Sequence, residues 1–167
     1  MDAEIIEQRL ADFPADYVVG SFSDKTDLPP LLSIGTKAPC FTLKDIKGSS
    51  VVSLDNVKGR WTVLFFWDLH CGYCMAALPK VDSLANQYSS DKVSFVMITD
   101  GNRIKTDELL QKKKIGLINL SDDKRQVYKS YQVSSVPVYY LLDKDKKIIA
   151  SATGFKGYQK IMQEVKF

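Results

Sequence analysis

Cys71 and Cys74 are separated by Gly72 and Tyr73, between an apolar run, Trp61–Trp67, and a helix-like stretch, Met75–Tyr88. Two thiols at that spacing in the first turn of a helix face the same side, within reach of the distance and torsion a disulfide requires. The first would sit at the helix tip, where unpaired backbone N–H groups and the helix dipole favour a negatively charged sulfur. Thiolate, rather than thiol, is the species that attacks a disulfide. These four residues therefore point to sulfur redox chemistry, with the Cys71–Cys74 pair as its own electron store and no further cofactor called for. His70, the only histidine, directly precedes Cys71. It is placed to supply positive charge to a thiolate, and a solvent-facing loop histidine without special duty is an equal alternative.

Another chemistry fits the same residues less well. Cys71, Cys74 and His70 together would suit a soft metal such as copper. Zinc sites normally take four ligands, however, and the sequence offers no second CxxC and no distal histidine. The third cysteine, Cys40, has no evident partner. In Pro39–Leu43, which reads as a short strand entering a core, it is expected to be a small buried residue.

The elements that must position the pair are legible in the apolar pattern. Trp61–Trp67 is nearly unbroken, as expected of a central strand covered on both faces. In the helix that follows, Cys74, Leu78, Val81, Ala85 and Tyr88 form an apolar stripe, which turns the second cysteine inward. Pro79, inside that helix, is expected to kink it. Val93–Ile98 is a second buried strand, so strand, helix and strand form a crossover unit with parallel strands. A reacting partner should then arrive at the carboxyl end of the first strand, where the CxxC lies. Upstream, Phe41–Leu43 and Val51–Leu54 flank Lys47-Gly48-Ser49 as a hairpin. Downstream, helices are expected near Lys105–Lys114 and Asp122–Tyr131. Val136–Leu142 and Lys147–Thr153 then form a hairpin about Asp143–Lys146, and a helix closes the chain over Gly157–Val165.

Residues 1–33 read as an extension to a domain spanning 34–167. Ile6, Leu10 and Phe13 recur at helical spacing before Pro14, and a turn-rich segment ends in Pro29-Pro30. The 167 residues suffice for one domain with a full core. A net charge of +3, with Lys112–Lys114 as the one tight basic run, excludes a nucleic-acid surface of the usual basic and aromatic kind. No stretch is long and apolar enough to span a membrane, and the first residues lack a basic-then-apolar leader pattern.

With these residues in order, the chain resembles the thioredoxin superfamily. Phe66-Trp67 precedes the CxxC, Pro79 follows in the helix, and Val136-Pro137 opens a later strand. The segment Ile34–Leu43, then Gly48 and Leu54–Gly59, is similar to the N-terminal hairpin of TlpA-like (ResA-like) thiol-disulfide oxidoreductases. The resemblance implies an α/β thioredoxin-like fold, with a four- or five-stranded mixed sheet flanked by helices and an N-terminal β-hairpin extension. It also implies a cis bond before Pro137. For the site it implies catalysis by Cys71 and Cys74, with substrate backbone docking along Val136, Pro137, Trp67, Gly72 and Tyr73. The activity it implies is disulfide exchange with cysteine-containing protein substrates, as a reductase, supplied by a redox partner in a bacterial extracytoplasmic compartment, periplasmic or cell-envelope. Neither nucleic acid nor membrane insertion of this chain is part of it. A peroxiredoxin-like peroxidase shares the fold, but its proline-and-threonine approach to the reactive cysteine is replaced here by Trp67-Asp68-Leu69-His70.

The resemblance also exposes a gap. Thioredoxin carries a buried aspartate six residues before its first cysteine, and Phe65 stands there. The ResA-like branch often carries a glutamate three residues after the second cysteine, and Ala77 stands there. Cys40 occupies the usual aspartate position of an Ala-Pro-Asp-Phe motif.

Overall fold

A computed structural model describes residues 29–167 of the chain. The expected N-terminal helix around Ile6, Leu10 and Phe13 lies outside the described residues. Residues 31–167 form one unit.

Why the central strand is unbroken in its apolarity is clear from its two faces. Strand β3 (Trp61–Phe66) sends Val63 and Phe65 into one cluster and Leu64 and Phe66 into the other. Period-two alternation makes both faces core faces, so every position must be apolar or internally satisfied. β3 pairs in parallel with β4 (Val93–Thr99) and antiparallel with β6 (Val138–Leu142). With β1 (Thr42–Asp45), β2 (Val51–Ser53), β5 (Ile118–Ser121) and β7 (Ile148–Thr153), the sheet has seven strands in the order β2-β1-β5-β4-β3-β6-β7.

The expected four or five strands thus become seven, for two reasons. The hairpin β1–β2 is not an appendage but joins the sheet, because β1 pairs antiparallel with β5. β5 itself carries only a weak, four-residue sequence signal. It is four residues long, alternates Ile118 and Leu120 with Asn119 and Ser121, and is held by backbone partners on both sides. Tertiary pairing, rather than propensity, makes it a strand.

Helix α1 (Gly72–Ala85) lays Cys74, Ala77, Leu78 and Val81 against the first face, and α4 (Gly157–Met162) adds Tyr158 and Ile161. Leu110 of α2 (Arg103–Lys112) belongs to the same cluster. α1 continues through Pro79, which removes one backbone donor without ending the helix. The second face is covered by α3 (Gln126–Ser130), with Val127 and Tyr128, and by Tyr131 and Val133 just after it. Across that face runs the segment before β1. Ala38 and Phe41 are buried in it, Leu31 and Leu32 pack on it, and Tyr131 Oη donates to the Pro39 carbonyl at 2.7 Å.

Cys40 is exposed, which corrects the expectation of a buried residue. The neighbouring Phe41 takes the inward position, which leaves Cys40 on the surface side. Its thiol faces the Asp55 carboxylate at 3.9 Å.

Lys146 is nearly buried in the β6–β7 turn. Its Nζ donates to the Val57 carbonyl at 2.9 Å and to Thr62 Oγ1 at 3.0 Å, tying the turn to β3 and to the loop after β2. Burial pushes its pKa down, with Asp55 and Asp143 opposing. Lys146→Met keeps the apolar stem and leaves the Val57 carbonyl without this donor, so a stability loss of about 1–3 kcal/mol is expected in urea unfolding. An unchanged midpoint would show that the ammonium contributes nothing net.

Candidate active site

β3 delivers the chain to Trp67, which is fixed at three points. Its N–H donates to the Ile98 carbonyl at 3.0 Å, its carbonyl accepts from Tyr128 Oη at 2.8 Å, and its Nε1 donates to Asn119 Oδ1 at 3.1 Å. The side chain has no exposed surface. Trp67 therefore holds the site from beneath and offers no docking surface, which corrects its place among the substrate-contacting residues.

The next three residues form a tight turn. Asp68 Oδ1 accepts the His70 N–H at 2.7 Å, and the Asp68 carbonyl accepts the Cys71 N–H at 3.2 Å. This turn places Cys71 at the N-cap of α1 with extended backbone, φ −88° and ψ 110°. Its sulfur does what a serine or aspartate oxygen does at most helix starts. Cys71 Sγ accepts the Cys74 N–H at 3.2 Å, and the Cys71 carbonyl takes the first helical bond, from Met75. A thiolate at this atom would be stabilised by that donor and by the helix end.

The second contact of the sulfur comes from across the sheet. Cys71 Sγ lies 3.6 Å from the Val136 carbonyl oxygen, to which the thiol donates. The Val136–Pro137 peptide is cis, at the entry to β6. Thus the structure brings together Cys71, Cys74 and Val136, with Pro137 buried behind them. Gly72, Tyr73 and His70 lie at the surface around Cys71.

The two thiols differ sharply. Cys71 is half-buried and Cys74 has no exposed surface. Burial pushes the Cys74 thiol well above the ordinary value; Cys71 adds to this, and the Asp68 backbone opposes it. Phe65 and Ala77, the two positions where a carboxylate was expected, are both fully buried in the apolar cluster that also contains Cys74. Both free thiols sit at one helix start, an arrangement from which a disulfide can form and reopen.

Beside Val136 lies a polar depression of about 370 Å³, lined by Asp68, Asp100, Arg125, Tyr128, Ser134 and Ser135. Arg125 pairs with Asp100 at 2.8 Å, and its guanidinium lies 5.2 Å from the centre of the Tyr128 ring. Burial raises the Asp100 pKa, and Arg125 opposes the rise. Sequence reasoning found neither this pair nor Asn119 and Tyr128, because the contacts join residues distant in the chain with no local motif. Among the described residues no group of three or more His, Cys, Asp or Glu side chains is arranged to hold a metal ion.

The sequence model of the AhpC/TSA family matches residues 34–151. The chain belongs to the AhpC/TSA family. This AhpC/TSA-family chain is 32% identical, over 119 residues, to a thioredoxin-like protein of Haemophilus influenzae, a match covering 70% of this chain and 68% of that one. It is 27% identical to the thiol-disulfide oxidoreductase ResA of Bacillus subtilis, covering 74% and 69%. Among solved structures, a putative thiol:disulfide interchange protein DsbE from Chlorobium tepidum superposes with a TM-score of 0.71 at 25% identity, over 80% of this chain and 94% of that one. Within the AhpC/TSA family the chain is thus a TlpA/ResA-like member of the thioredoxin superfamily.

Proposed function

We propose that the protein is a thiol-disulfide oxidoreductase acting through Cys71 and Cys74, and that it works as a reductase of cysteine-containing proteins. The observation that carries this is the inequality of the two sulfurs. One is half-exposed at a helix tip between a backbone donor and the Val136 carbonyl, and the other is sealed beneath it. Cys71 attacks a substrate disulfide, forming a mixed disulfide and releasing one substrate thiolate. Cys74 then loses its proton and attacks Cys71 Sγ. The Cys71–Cys74 bond forms, the bond to substrate breaks, and the departing thiolate takes up a proton. Two electrons pass to the substrate, and a redox partner returns them to the protein.

Substrate backbone docks beside Val136 and Pro137, over Gly72 and Tyr73. Tyr73 is half-exposed, and among the described residues nothing outside its chain neighbours and its own helix backbone lies within 4 Å of where a Gly72 Cβ would sit. Packing among the described residues therefore does not require glycine at position 72, which suits a position that a partner must approach closely. His70 is exposed beside the nucleophile, with its N–H held by Asp68, and serves as a source of positive charge for the thiolate. An extracytoplasmic setting, periplasmic or cell-envelope, fits the ResA and DsbE relatives, because disulfides persist there.

The test is to mix the reduced protein with a disulfide-bonded protein and follow both by thiol alkylation and mass. Substrate thiols should appear in step with an intramolecular Cys71–Cys74 disulfide. Undiminished exchange after selective alkylation of Cys71 would overturn the assignment, and rapid peroxide turnover would favour the peroxidase instead. Equilibration with glutathione fixes the direction. A potential near roughly −270 mV marks a reductase and one near roughly −120 mV an oxidant.

A further inference from the structure

In a chain that carries 23 lysines and arginines and 20 acidic residues, Arg125 and Asp100 form the only side-chain ion pair among the described residues. The pair sits in the polar depression beside Val136, whose walls reach the nucleophile from two sides. On one side the Val136 carbonyl lies 3.6 Å from Cys71 Sγ, and on the other the Asp68 carbonyl accepts the Cys71 N–H at 3.2 Å. A substrate segment docked along Val136 and Pro137 therefore has this depression beside it.

The guanidinium is held in place from several directions. Arg125 directly precedes α3 in left-handed backbone, with φ 54° and ψ 26°, and its N–H donates to the Asp122 carbonyl at 2.8 Å. The buried Asp122 carboxylate accepts the Gln126 and Tyr128 N–H groups at 3.0 and 2.9 Å, which ties the turn on its far side. From that anchor the side chain runs over the Tyr128 ring, 5.2 Å from its centre, and Nη1 reaches Asp100 Oδ2 at 2.8 Å. The ring is itself fixed, because Tyr128 Oη bonds to the Trp67 carbonyl at 2.8 Å. A cation already ordered in this way loses little freedom when a partner binds it.

Exposure is divided unevenly within the pair. The Arg125 side chain is 58% exposed and that of Asp100 14%, so a partner meets the guanidinium with the carboxylate behind it. Asp68 also lines the depression, and its Oδ1 is engaged by the His70 N–H. A guanidinium has five N–H donors in one plane, and a bond to one aspartate oxygen leaves others for a two-pronged acceptor. We propose that Arg125 is a specificity-determining residue, which receives an aspartate or glutamate carboxylate beside the reactive cysteine of the substrate protein. This rests on the roles of Cys71 and Cys74 and the docking along Val136 given above, and it adds no redox step. The contact acts on binding, before sulfur is transferred.

Three peptide disulfides serve as probes, each a short cysteine peptide joined to its own copy, with glutamate, serine or lysine flanking the cysteine. Dithiothreitol acting on the same peptides gives the reference for what charge does to the disulfide itself. Against that reference, single-turnover rates of the reduced protein should favour the glutamate over the serine peptide about tenfold, the scale of a hydrogen bond to a charged group. The difference should lie in the half-saturating concentration rather than in the maximal rate. In Arg125→Asn, a residue that tolerates left-handed backbone, the advantage should disappear. Lys124→Gln removes an equal charge from the exposed neighbouring residue and should retain it. An advantage that survives in R125N overturns the proposal, and so does an equal loss in K124Q. Preference of the wild-type protein for the lysine peptide also overturns it, because Asp68 and Asp100 would then be the groups facing the partner. Should R125N fail to fold, the wild-type protein alone decides, and equal rates on the glutamate and serine peptides overturn the proposal. Failure of the wild-type protein to react with any of the three peptides would instead remove the parent assignment of Cys71 and Cys74.

Discussion

Cys71→Ser should abolish disulfide exchange while leaving the fold intact. The loss expected is on the order of 10³-fold or more, the scale on which removal of a nucleophile is felt. The structural side is favourable because residue 71 is an N-cap, and serine is among the best residues there. Its Oγ can accept the Cys74 N–H and donate to the Val136 carbonyl, the two contacts the sulfur makes now. Helix α1 should therefore begin where it does in the native chain, and the melting temperature should be unchanged or slightly raised. Insulin reduction with a dithiol donor measures the rate, and circular dichroism measures the fold. Retained exchange in a folded C71S protein would move the nucleophile to Cys74 or Cys40.

Cys74→Ser should have the opposite signature, arrest after the first step. Cys71 still attacks, but no thiol stands behind it to resolve the adduct, so mixed disulfides accumulate and turnover stops. A non-reducing gel should show Cys71-linked substrate that vanishes on reduction, and absence of any adduct would count against the two-step route. The variant also has a signature in stability. Burial holds the Cys74 thiol above its ordinary value, so the folded state keeps a proton that the unfolded chain releases. The stability tied to that proton is fully present below the unfolded thiol value of about 8.5 and is lost as pH rises toward the folded one. The reduced wild-type protein should lose stability in that alkaline window, and the contribution from residue 74 should be absent in C74S.

Much of this site was legible because it is local. The run from Trp61 to Trp67, the spacing of the two cysteines and the stripe of α1 lie within one strand-loop-helix unit, where periodicity and capping speak directly. Cys74 on the inward face and parallel β3 and β4 follow from that unit alone. Val136-Pro137 was recognisable only through resemblance, and its carbonyl reaching Cys71 Sγ is a product of β6 pairing with β3. What stayed hidden is what the sheet assembles from distant pieces. β5 has too few apolar residues to announce itself, Trp67 meets Asn119 only after β5 has docked, and Tyr139 meets Phe65 only through register. Cys40 is exposed: a strand-like pattern gives alternation but not its phase, and the burial of its neighbour Phe41 sets the phase.

The segment ahead of β1 has a consequence for behaviour in concentrated solution. Gly35 N–H donates to the Ile148 carbonyl, Ile148 N–H to the Thr36 carbonyl, and Lys37 bridges to Lys147, all at the beginning of β7, one margin of the sheet. A few residues later the same chain forms β1, and with the three-residue β2 it finishes the other margin. One short stretch thus occupies backbone groups at both margins that would otherwise be free to recruit strands from other molecules. Deleting it would expose two adhesive borders at once, so the shortened protein should be prone to self-association before any change in its sulfur chemistry is felt.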